Sequence, residues 1–261
     1  MSRTFHKTKR QMLTMKAGLG QLSESERSSF LELFDVVWVY HDNALEGEVY
    51  TPDELRTALT DRVVTVGDSS SAMVMKDIRA HKGTVDHIRR EAERRAASPL
   101  LNLTKALHER LTLDPDDRPG RYRRNPQLQR TYFHEIAEPS RISYLLRKIL
   151  AWSVSEDALR EHPIEVACRV HWELIHIYPF EKNTGRVGRL LLNYMLLREG
   201  YAPAVIHAQD RQRYYEAFRS GTPELLTALV HESIDNGIDS VLRRLRNRGI
   251  HPVAPRDMTL R

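Results

Sequence analysis

The sequence predicts a mostly α-helical domain with a short β-hairpin inserted before its central helices. Two observations lead to this prediction. Apolar residues recur at helical spacing through most of the 261 residues, whereas the interval 114–132 is rich in proline and glycine and contains short alternating stretches. A chain of this length can bury a substantial core without metal or disulfide cross-links, and its single cysteine, Cys168, cannot form an internal disulfide.

Composition excludes several classes of protein. Hydrophobic residues make up 41% and charged residues 29% of the chain, which argues against a wholly disordered chain, a collagen-like fibre and a disulfide scaffold. No stretch approaches the ~20 apolar residues that a membrane span needs. The basic N-terminus is not followed by the apolar segment of a secretory signal. We therefore expect a cytoplasmic protein without a membrane partner.

Helix start signals define the N-terminal elements. Ser23 and Glu26 form a capping-box pattern that precedes apolar residues at helical spacing. The segment 51–54 combines an N-cap threonine, a proline at the first helical position and two acids, so a second helix begins there. The polar stretch 69–95 and the amphipathic stretch 100–111 predict two more helices.

Helices resume after the hairpin interval, and a glycine at position 200 is placed to end the third of them. The predicted helices cover residues 139–152, 163–176, 186–199, 211–219 and 223–248. We divide the chain into an N-terminal helical region (1–112), a core (113–242) and a basic C-terminal tail (243–261).

The net charge of +5 is concentrated in this tail. The chain has 40 basic and 35 acidic residues, and six of the arginines but only one acid lie between residues 243 and 261. The rest of the chain is balanced, so the basic pI near 9.3 describes the tail and not the core. This distribution argues against nucleic acid as a partner.

The connection 176–189 carries the most chemical information. A polar turn containing Gly185 precedes a helix, and the N-terminus of a helix attracts anions through unpaired N–H groups and the helix dipole. Arg186 and Arg189 are three residues apart, so both lie on one side of the first helical turn, and Lys182 adds a third cation. The pattern suits a phosphate-binding turn. The alternative is an ordinary interhelical loop whose basic residues pair with nearby acids.

Residues 178–189 resemble the signature of the Fic (Fido) family, H-x-F-x-[D/E]-G-N-G-R-x-x-R. The letters that match are Phe180, Gly185, Arg186 and Arg189. The helices on both sides of the signature are also similar to the family's, and the resemblance runs from about residue 36 to residue 242. Members usually transfer AMP from ATP to a hydroxyl group of a target protein.

The resemblance implies a fold and a docking element. It implies an all-α Fic-type core with a short β-hairpin flap before the central helices. Residues 120–123 are similar to the entry of this flap, which would lie near 121–133. Leu128 would then contact a segment of the target protein or anchor the hairpin.

The sequence departs from the signature at the positions that carry chemistry. Tyr178 stands at the catalytic histidine position, Lys182 at the metal-binding carboxylate position, and Asn183 and Thr184 replace the Gly-Asn pair. Tyrosine ordinarily has a pKa near 10, against about 6.5 for histidine, so it is a poor general base at neutral pH. An ammonium group cannot coordinate Mg²⁺. The resemblance implies ATP or another nucleotide as the ligand. The lysine at position 182 argues against Mg²⁺ as a cofactor.

Two interpretations of Lys182 stay open. Its single positive charge equals that of a carboxylate with Mg²⁺, so it could replace that pair as a point charge on the phosphates. Alternatively, it became a surface residue once catalysis was lost. Some family members with altered letters in this turn transfer phosphate instead of AMP.

Residues 42–47 resemble a second family motif, the inhibitory helix [S/T]-x-x-x-E-[G/N], on a helix around 30–47. Glu46 and Gly47 match, and Asp42 replaces the hydroxyl residue. In the family this glutamate pairs with the second signature arginine and blocks the γ-phosphate. We therefore predict an ion pair between Glu46 and Arg189, with the charged groups within ~4 Å of each other.

Three further residues are candidates for the adenine or ribose side of the site through the same resemblance: Asn193, Tyr214 and Tyr215. Core packing is the alternative for the two tyrosines. His171 and His176 are five residues apart, so they do not share a helical face as two zinc ligands would, and we predict no metal site.

Three functions remain in competition. The leading one is a Fic-fold protein that lacks ordinary AMP transfer and retains nucleotide or phosphate binding. The second is an active nucleotidyl- or phosphoryl-transferase in which Tyr178 is the base or is itself modified, acting on a protein target that the sequence does not identify. The third is a helical scaffold that binds a protein or nucleic acid. A second copy of the chain is a further candidate partner.

Overall fold

A computed structural model describes residues 2–59, 69–94, 100–126 and 135–254 of the chain. These residues contain eleven α-helices and three short 3₁₀ turns. The α-helices are α1 (Ser2–Leu19), α2 (Glu24–Glu46), α3 (Pro52–Leu59), α4 (Ser69–Glu93), α5 (Leu100–Leu111), α6 (Ile142–Trp152), α7 (Glu156–Arg160), α8 (Pro163–Ile177), α9 (Thr184–Arg198), α10 (Arg211–Arg219) and α11 (Glu224–Asn247).

The all-α prediction is confirmed, but the predicted β-hairpin is not seen in the described residues. Residues 121–126 and 135–138, which flank the centre of the expected flap, are irregular and contain no strand. The centre of the flap, residues 127–134 with Leu128, lies outside the described part of the chain.

The N-terminal caps form as the sequence predicts. The Ser23 hydroxyl accepts from the backbone N–H of Glu26, whose side chain in turn accepts from the N–H of Ser23 (3.0 Å). The side chains of Thr51 and Glu54 form the same reciprocal pair at the start of α3. At the other end of α2, Gly47 adopts a left-handed conformation (φ 95°), which glycine enters without steric cost.

Helix α1 was not predicted, because its basic sequence hides a narrow apolar stripe. Met12 and Met15 are buried in the core. The hydroxyl of Thr8 donates to Asp235 of α11 (2.7 Å), and Lys16 donates to the carbonyl of Gly200 (2.9 Å). The N-terminal helix therefore packs along the helix that carries the first residues of the basic tail.

The other boundaries move little. Helices α5 and α10 have the predicted bounds, residues 139–141 form a 3₁₀ turn before α6, and α7 was missed. The predicted tail begins inside α11, and residues 255–261 lie outside the described residues.

Helix α9 is the central element of the fold. Twelve of its fifteen residues are buried, and it packs against α8, α4, α5 and α2. A helix surrounded on all sides is expected to be apolar all round. Helix α9 nevertheless has two arginines in its first two turns, at positions 186 and 189. The neighbouring helices must therefore supply partners for these charges. None of the described helices combines the length and apolar character that crossing a membrane requires.

Candidate functional site

Two left-handed residues frame the connection between α8 and α9. Tyr178 ends α8 with φ 47°, and its backbone N–H donates to the carbonyl of Leu174 (2.9 Å). Asn183 precedes α9 with φ 61°, and its side-chain amide donates to the carbonyl of Leu111 (3.2 Å). Asparagine tolerates this conformation better than most residues. The turn thus has a positive φ at the position where the family signature has glycine.

Thr184 closes this turn from inside. Its hydroxyl accepts from the backbone N–H of Phe180 (3.1 Å) and donates to the carbonyl of the same residue (3.0 Å). The fully buried ring of Phe180 stacks on His108, with centroids 3.9 Å apart. Burial lowers the pKa of His108 to about 4, and its neutral ring accepts from the N–H of Gly120 (3.0 Å). The loop is therefore held by side chains on both sides.

Arg123 ties the two ends of the expected flap to this turn. Its guanidinium donates to the carbonyls of Tyr178 (2.6 Å) and Asn125 (3.0 Å), and it also contacts the carbonyl of Ala137. Its side chain is buried. The sequence marks residues 120–123 as the flap entry, and the structure shows that Arg123 anchors this entry to the turn.

Arg189 occupies the centre of the site and contacts two carboxylates of α2. Its Nη1 lies 2.7 Å from Oε1 of Glu46, so the predicted ion pair is confirmed. Its Nε pairs with Asp42, and its Nη2 donates to the backbone carbonyl of Asp42 (3.0 Å). Arg189 and Asp42 are both almost fully buried. The guanidinium is thus enclosed by two acids one helical turn apart.

Asp42 is itself held by α4. Its Oδ2 lies 2.8 Å from Nε2 of His81, whose Nδ1 is 3.0 Å from the side-chain amide of Asn43. His81 thus lies between the carboxylate of Asp42 and the side chain of Asn43, and all three side chains are buried. Burial alone would raise the pKa of Asp42, but the charge of Arg189 and the contact with His81 hold it well below its usual range.

A second chain of buried polar groups leads from Arg189 into α8. The hydroxyl of Tyr214 accepts from Nη1 of Arg189 (3.2 Å) and lies 2.9 Å from Nε2 of His171. Burial lowers the pKa of His171 to about 3, and the charge of Arg189 adds to this effect. Burial also raises the pKa of Tyr214. His171 is therefore neutral, and the phenol donates to it.

Arg186 has a partner of its own on α4. Its Nη1 lies 3.1 and 3.0 Å from the two carboxylate oxygens of Asp77. The hydroxyl of Tyr50 donates to Oδ2 of the same carboxylate, and burial followed by this hydrogen bond raises the pKa of Tyr50. The two signature arginines thus point to one region of the fold but pair with carboxylates on different helices.

Lys182 lies on the outer side of the turn. Its Nζ donates to Oδ2 of Asp117 (2.9 Å), and its side chain is 65% exposed. The hydrogen bond from Lys182 to Asp117 raises the pKa of the lysine. In the described structure the ammonium group thus neutralises a carboxylate, and its role as a cation on the phosphates stays a prediction.

The residues expected on the adenine side contact the protein itself. Both side-chain amide atoms of Asn193 bond the backbone of Ala204, at 3.1 and 2.8 Å. The hydroxyl of Tyr215 and the guanidinium of Arg211 both donate to the carbonyl of Leu45 near the end of α2. These contacts hold α10 against α2. The nucleotide roles of Asn193, Tyr214 and Tyr215 stay predictions.

Gly188 lies between the two arginines, at a close approach of α9 to α8. A Cβ atom at this position would be 2.6 Å from Nδ1 of His171 and 3.3 Å from Leu174. Because real Cβ atoms do not approach a ring atom this closely, only glycine fits while His171 is in place. The packing of α8 on α9 therefore depends on this residue.

Sequence reasoning missed four residues that hold the site together: Tyr50, Asp77, His81 and Asp117. None belongs to a recognisable motif, and all are distant in sequence from their partners. Asp42 did carry a signal, since a carboxylate four residues before Glu46 lies on the same helical face. In the described residues, no group of three or more His, Cys, Asp and Glu side chains is arranged to hold a metal ion.

Comparisons with known proteins identify a family domain within this chain. The sequence model of the Fic/DOC family matches residues 100–196. The Protein adenylyltransferase Fic of Drosophila virilis is 30% identical over 181 residues, which is 68% of this chain and 36% of that protein. The protein of the same name from Aedes aegypti is 27% identical over 199 residues, 75% of this chain and 38% of that one. The chain thus spans little more than a third of the length of these relatives.

Solved structures show the same fold. A Fic domain containing signalling protein from Bacteroides thetaiotaomicron superposes with a TM-score of 0.72 at 22% identity, covering 92% of this chain and 95% of the other. A variant of Fic-1 from C. elegans superposes with a TM-score of 0.74 at 22% identity, covering 93% and 73%. At this level of identity the likeness concerns the fold alone.

Proposed function

Because residues 100–196 form a Fic/DOC family domain, we propose that this chain binds a nucleotide or another phosphate compound at residues 180–189 without ordinary AMP transfer. The chain has the fold of solved Fic-domain proteins and is similar in sequence to protein adenylyltransferases. The observation that carries the proposal is the combination of retained signature arginines with Tyr178 and Lys182 at the two reactive positions.

Binding is supported by the geometry of the turn. Asn183 has the left-handed backbone that the turn needs, and Thr184 fixes the loop against Phe180. The N-terminus of α9 follows at once, with Arg186 and Arg189 in its first two turns. Helix N-termini and arginine forks are favourable for phosphate groups.

The lack of ordinary AMP transfer is supported by the chemistry of two side chains. A phenol with its usual pKa near 10 is protonated at neutral pH and accepts a proton poorly. The residues at the turn also do not fit the Mg²⁺ that the fold family implies, because the position of the metal carboxylate holds an ammonium group that pairs with Asp117.

The test of binding is a thermal-shift titration of the whole chain with ATP, ADP and AMP, with and without Mg²⁺. We expect stabilisation by at least one nucleotide, more strongly in Glu46→Gly, and no dependence on Mg²⁺. Arg186→Gln should abolish the shift, whereas the exposed Arg213→Gln should preserve it. The absence of a shift in both the wild type and Glu46→Gly at millimolar nucleotide would contradict the proposal.

The test of chemistry is intact-mass measurement after incubation with ATP. We expect no change in mass for the wild type. The variant Tyr178→His, Lys182→Asp, Asn183→Gly, Thr184→Asn, combined with Glu46→Gly, is expected to transfer AMP when Mg²⁺ is present, because it restores the signature.

One observation favours a second candidate, a transferase that uses Tyr178. The side chain of Tyr178 is half-buried, and the guanidinium of Arg123 donates to the backbone carbonyl of the same residue (2.6 Å). Attack of the phenol oxygen on the α-phosphorus, with loss of pyrophosphate, would add AMP to Tyr178. A mass increase of one AMP in the wild type that Tyr178→Phe removes would establish this candidate in place of the first.

A further inference from the structure

The inhibitory contact that the family resemblance predicts accounts for only one of the two signature arginines. Glu46 of α2 pairs with Arg189, but Arg186 is covered from a different helix, α4, by Asp77. Asp77 and Arg186 are 109 positions apart in sequence, and no motif marks Asp77. The contact therefore needs a separate explanation.

We propose that Asp77 is a second inhibitory carboxylate, which shields Arg186 from anions independently of Glu46. The proposal rests on the proposed binding of a phosphate compound at residues 180–189. It adds that the carboxylates on α2 and α4 each lower the affinity of this site for the compound.

The geometry of Asp77 supports shielding. One terminal nitrogen of Arg186 lies within 3.1 Å of both carboxylate oxygens, and the arginine side chain is only 8% exposed. Tyr50 donates to the same carboxylate and fixes its position. An incoming phosphate oxygen would compete with Asp77 for the same donor.

Charge supports the same conclusion. Arg186 and Arg189 face three carboxylates, those of Asp77, Asp42 and Glu46. The two guanidinium groups and three carboxylates together carry a net negative charge, which repels a triphosphate. Removal of Glu46 alone leaves two carboxylates against two guanidinium groups, so the set becomes neutral but not attractive to an anion.

The alternative role for Asp77 is to position Arg186 for a ligand. The two roles predict opposite effects of one neutral variant, Asp77→Asn. A shielding carboxylate lowers affinity, so its neutralisation should tighten binding of ATP. A positioning carboxylate supports affinity, so the same change should weaken binding.

The first experiment measures ATP affinity by calorimetry for the wild type, Glu46→Gln, Asp77→Asn and the double variant. We expect Asp77→Asn to tighten binding by about tenfold or more in the Glu46→Gln background. Tyr50→Phe, which leaves Asp77 in place, should act in the same direction with a smaller effect. Asp86→Asn on the same helix, which neutralises a carboxylate paired with Lys82 and Arg89, is the matched control and should not change affinity. Unchanged or weaker binding in Asp77→Asn would overturn the proposal.

The second experiment needs no nucleotide. Phenylglyoxal labels accessible arginines, and the rate at Arg186 is followed by peptide mass spectrometry. We expect faster labelling of Arg186 in Asp77→Asn and Tyr50→Phe than in the wild type and Asp86→Asn. Equal rates would overturn the shielding role. Faster labelling without ATP binding in any variant would support shielding and would contradict the proposed function instead.

Discussion

Residues 178–183 and residues 184–189 are the two halves of one connection between α8 and α9, and they lie in different surroundings. In the first half Lys182 is 65% exposed and pairs with Asp117 at the surface. In the second half the side chains of Arg186 and Arg189 are 8% and 3% exposed and pair with acids of α4 and α2. Three of the four departures from the family signature lie in the first half.

This difference separates two constraints on the same motif. A change at the exposed Lys182 alters the chemistry of the turn at little cost in stability. A change in the buried half leaves carboxylates without a partner inside the protein. The two arginines therefore stabilise the fold through their buried ion pairs, whether or not a ligand binds.

The largest effect is expected when the guanidinium of Arg189 is removed. We expect Arg189→Met to lower the free energy of unfolding by about 3 to 5 kcal/mol, because Asp42 is left buried and uncompensated. Urea denaturation measures the change. Arg213→Met, which breaks two ion pairs at a half-exposed site, should cost no more than about 1 kcal/mol. Equal losses in the two variants would remove the distinction between buried and exposed pairs.

A second test uses pH. The folded pKa of His171 is about 3, well below its unfolded value near 6.5. The group contributes full stability above pH 6.5, and this contribution is lost as the pH falls toward 3, because only the unfolded chain takes up the proton. We expect a loss of about 2 kcal/mol between pH 6.5 and pH 5 from this residue.

Urea denaturation at several pH values measures this dependence. His171→Gln should flatten the curve between pH 6.5 and 5, whereas a substitution of His251, which is exposed, should leave it unchanged. An equal slope in His171→Gln and the wild type would contradict the assignment.

A third test concerns the junction of the two halves. Thr184→Val keeps the shape of the side chain but removes the hydroxyl that accepts from the N–H of Phe180. We expect a loss of about 1 to 2 kcal/mol in the free energy of unfolding. Thr104→Val is the matched control, because that buried hydroxyl donates only to a helix carbonyl, that of Leu100. A larger effect of the control would show that the turn does not depend on Thr184.

The smallest effect is expected at the exposed Lys182. Lys182→Ala should change the free energy of unfolding by no more than about 1 kcal/mol, and the change should shrink further in high salt. Denaturation at two salt concentrations checks this. A loss as large as that of Arg189→Met would mean that Lys182 contributes as much as Arg189 to the free energy of unfolding.

The predictable part of the fold consists of elements with local signals. The capping residues Ser23 and Thr51 mark helix starts correctly, because their hydrogen bonds are made within four residues. Helix α1 was missed, since its buried methionines stand among basic residues and its partners on α11 are more than 200 positions away.

The site divides in the same way. The pair of Glu46 with Arg189 was predicted, because a family motif marks each partner. The pairs of Asp77 with Arg186 and of Lys182 with Asp117 were not, since each joins distant segments with no local pattern. The sequence showed which cations the turn contains, and only the three-dimensional structure shows which acids neutralise them.

The close approach at Gly188 has a consequence for how this protein can evolve. A side chain at position 188 is blocked by the imidazole of His171, which is in turn hydrogen-bonded to Tyr214. A lineage that acquires a residue larger than glycine at position 188 must therefore first replace His171 with a residue that has a shorter side chain. The order of these two substitutions is fixed, so residues 171 and 188 are expected to change together among descendants of this chain.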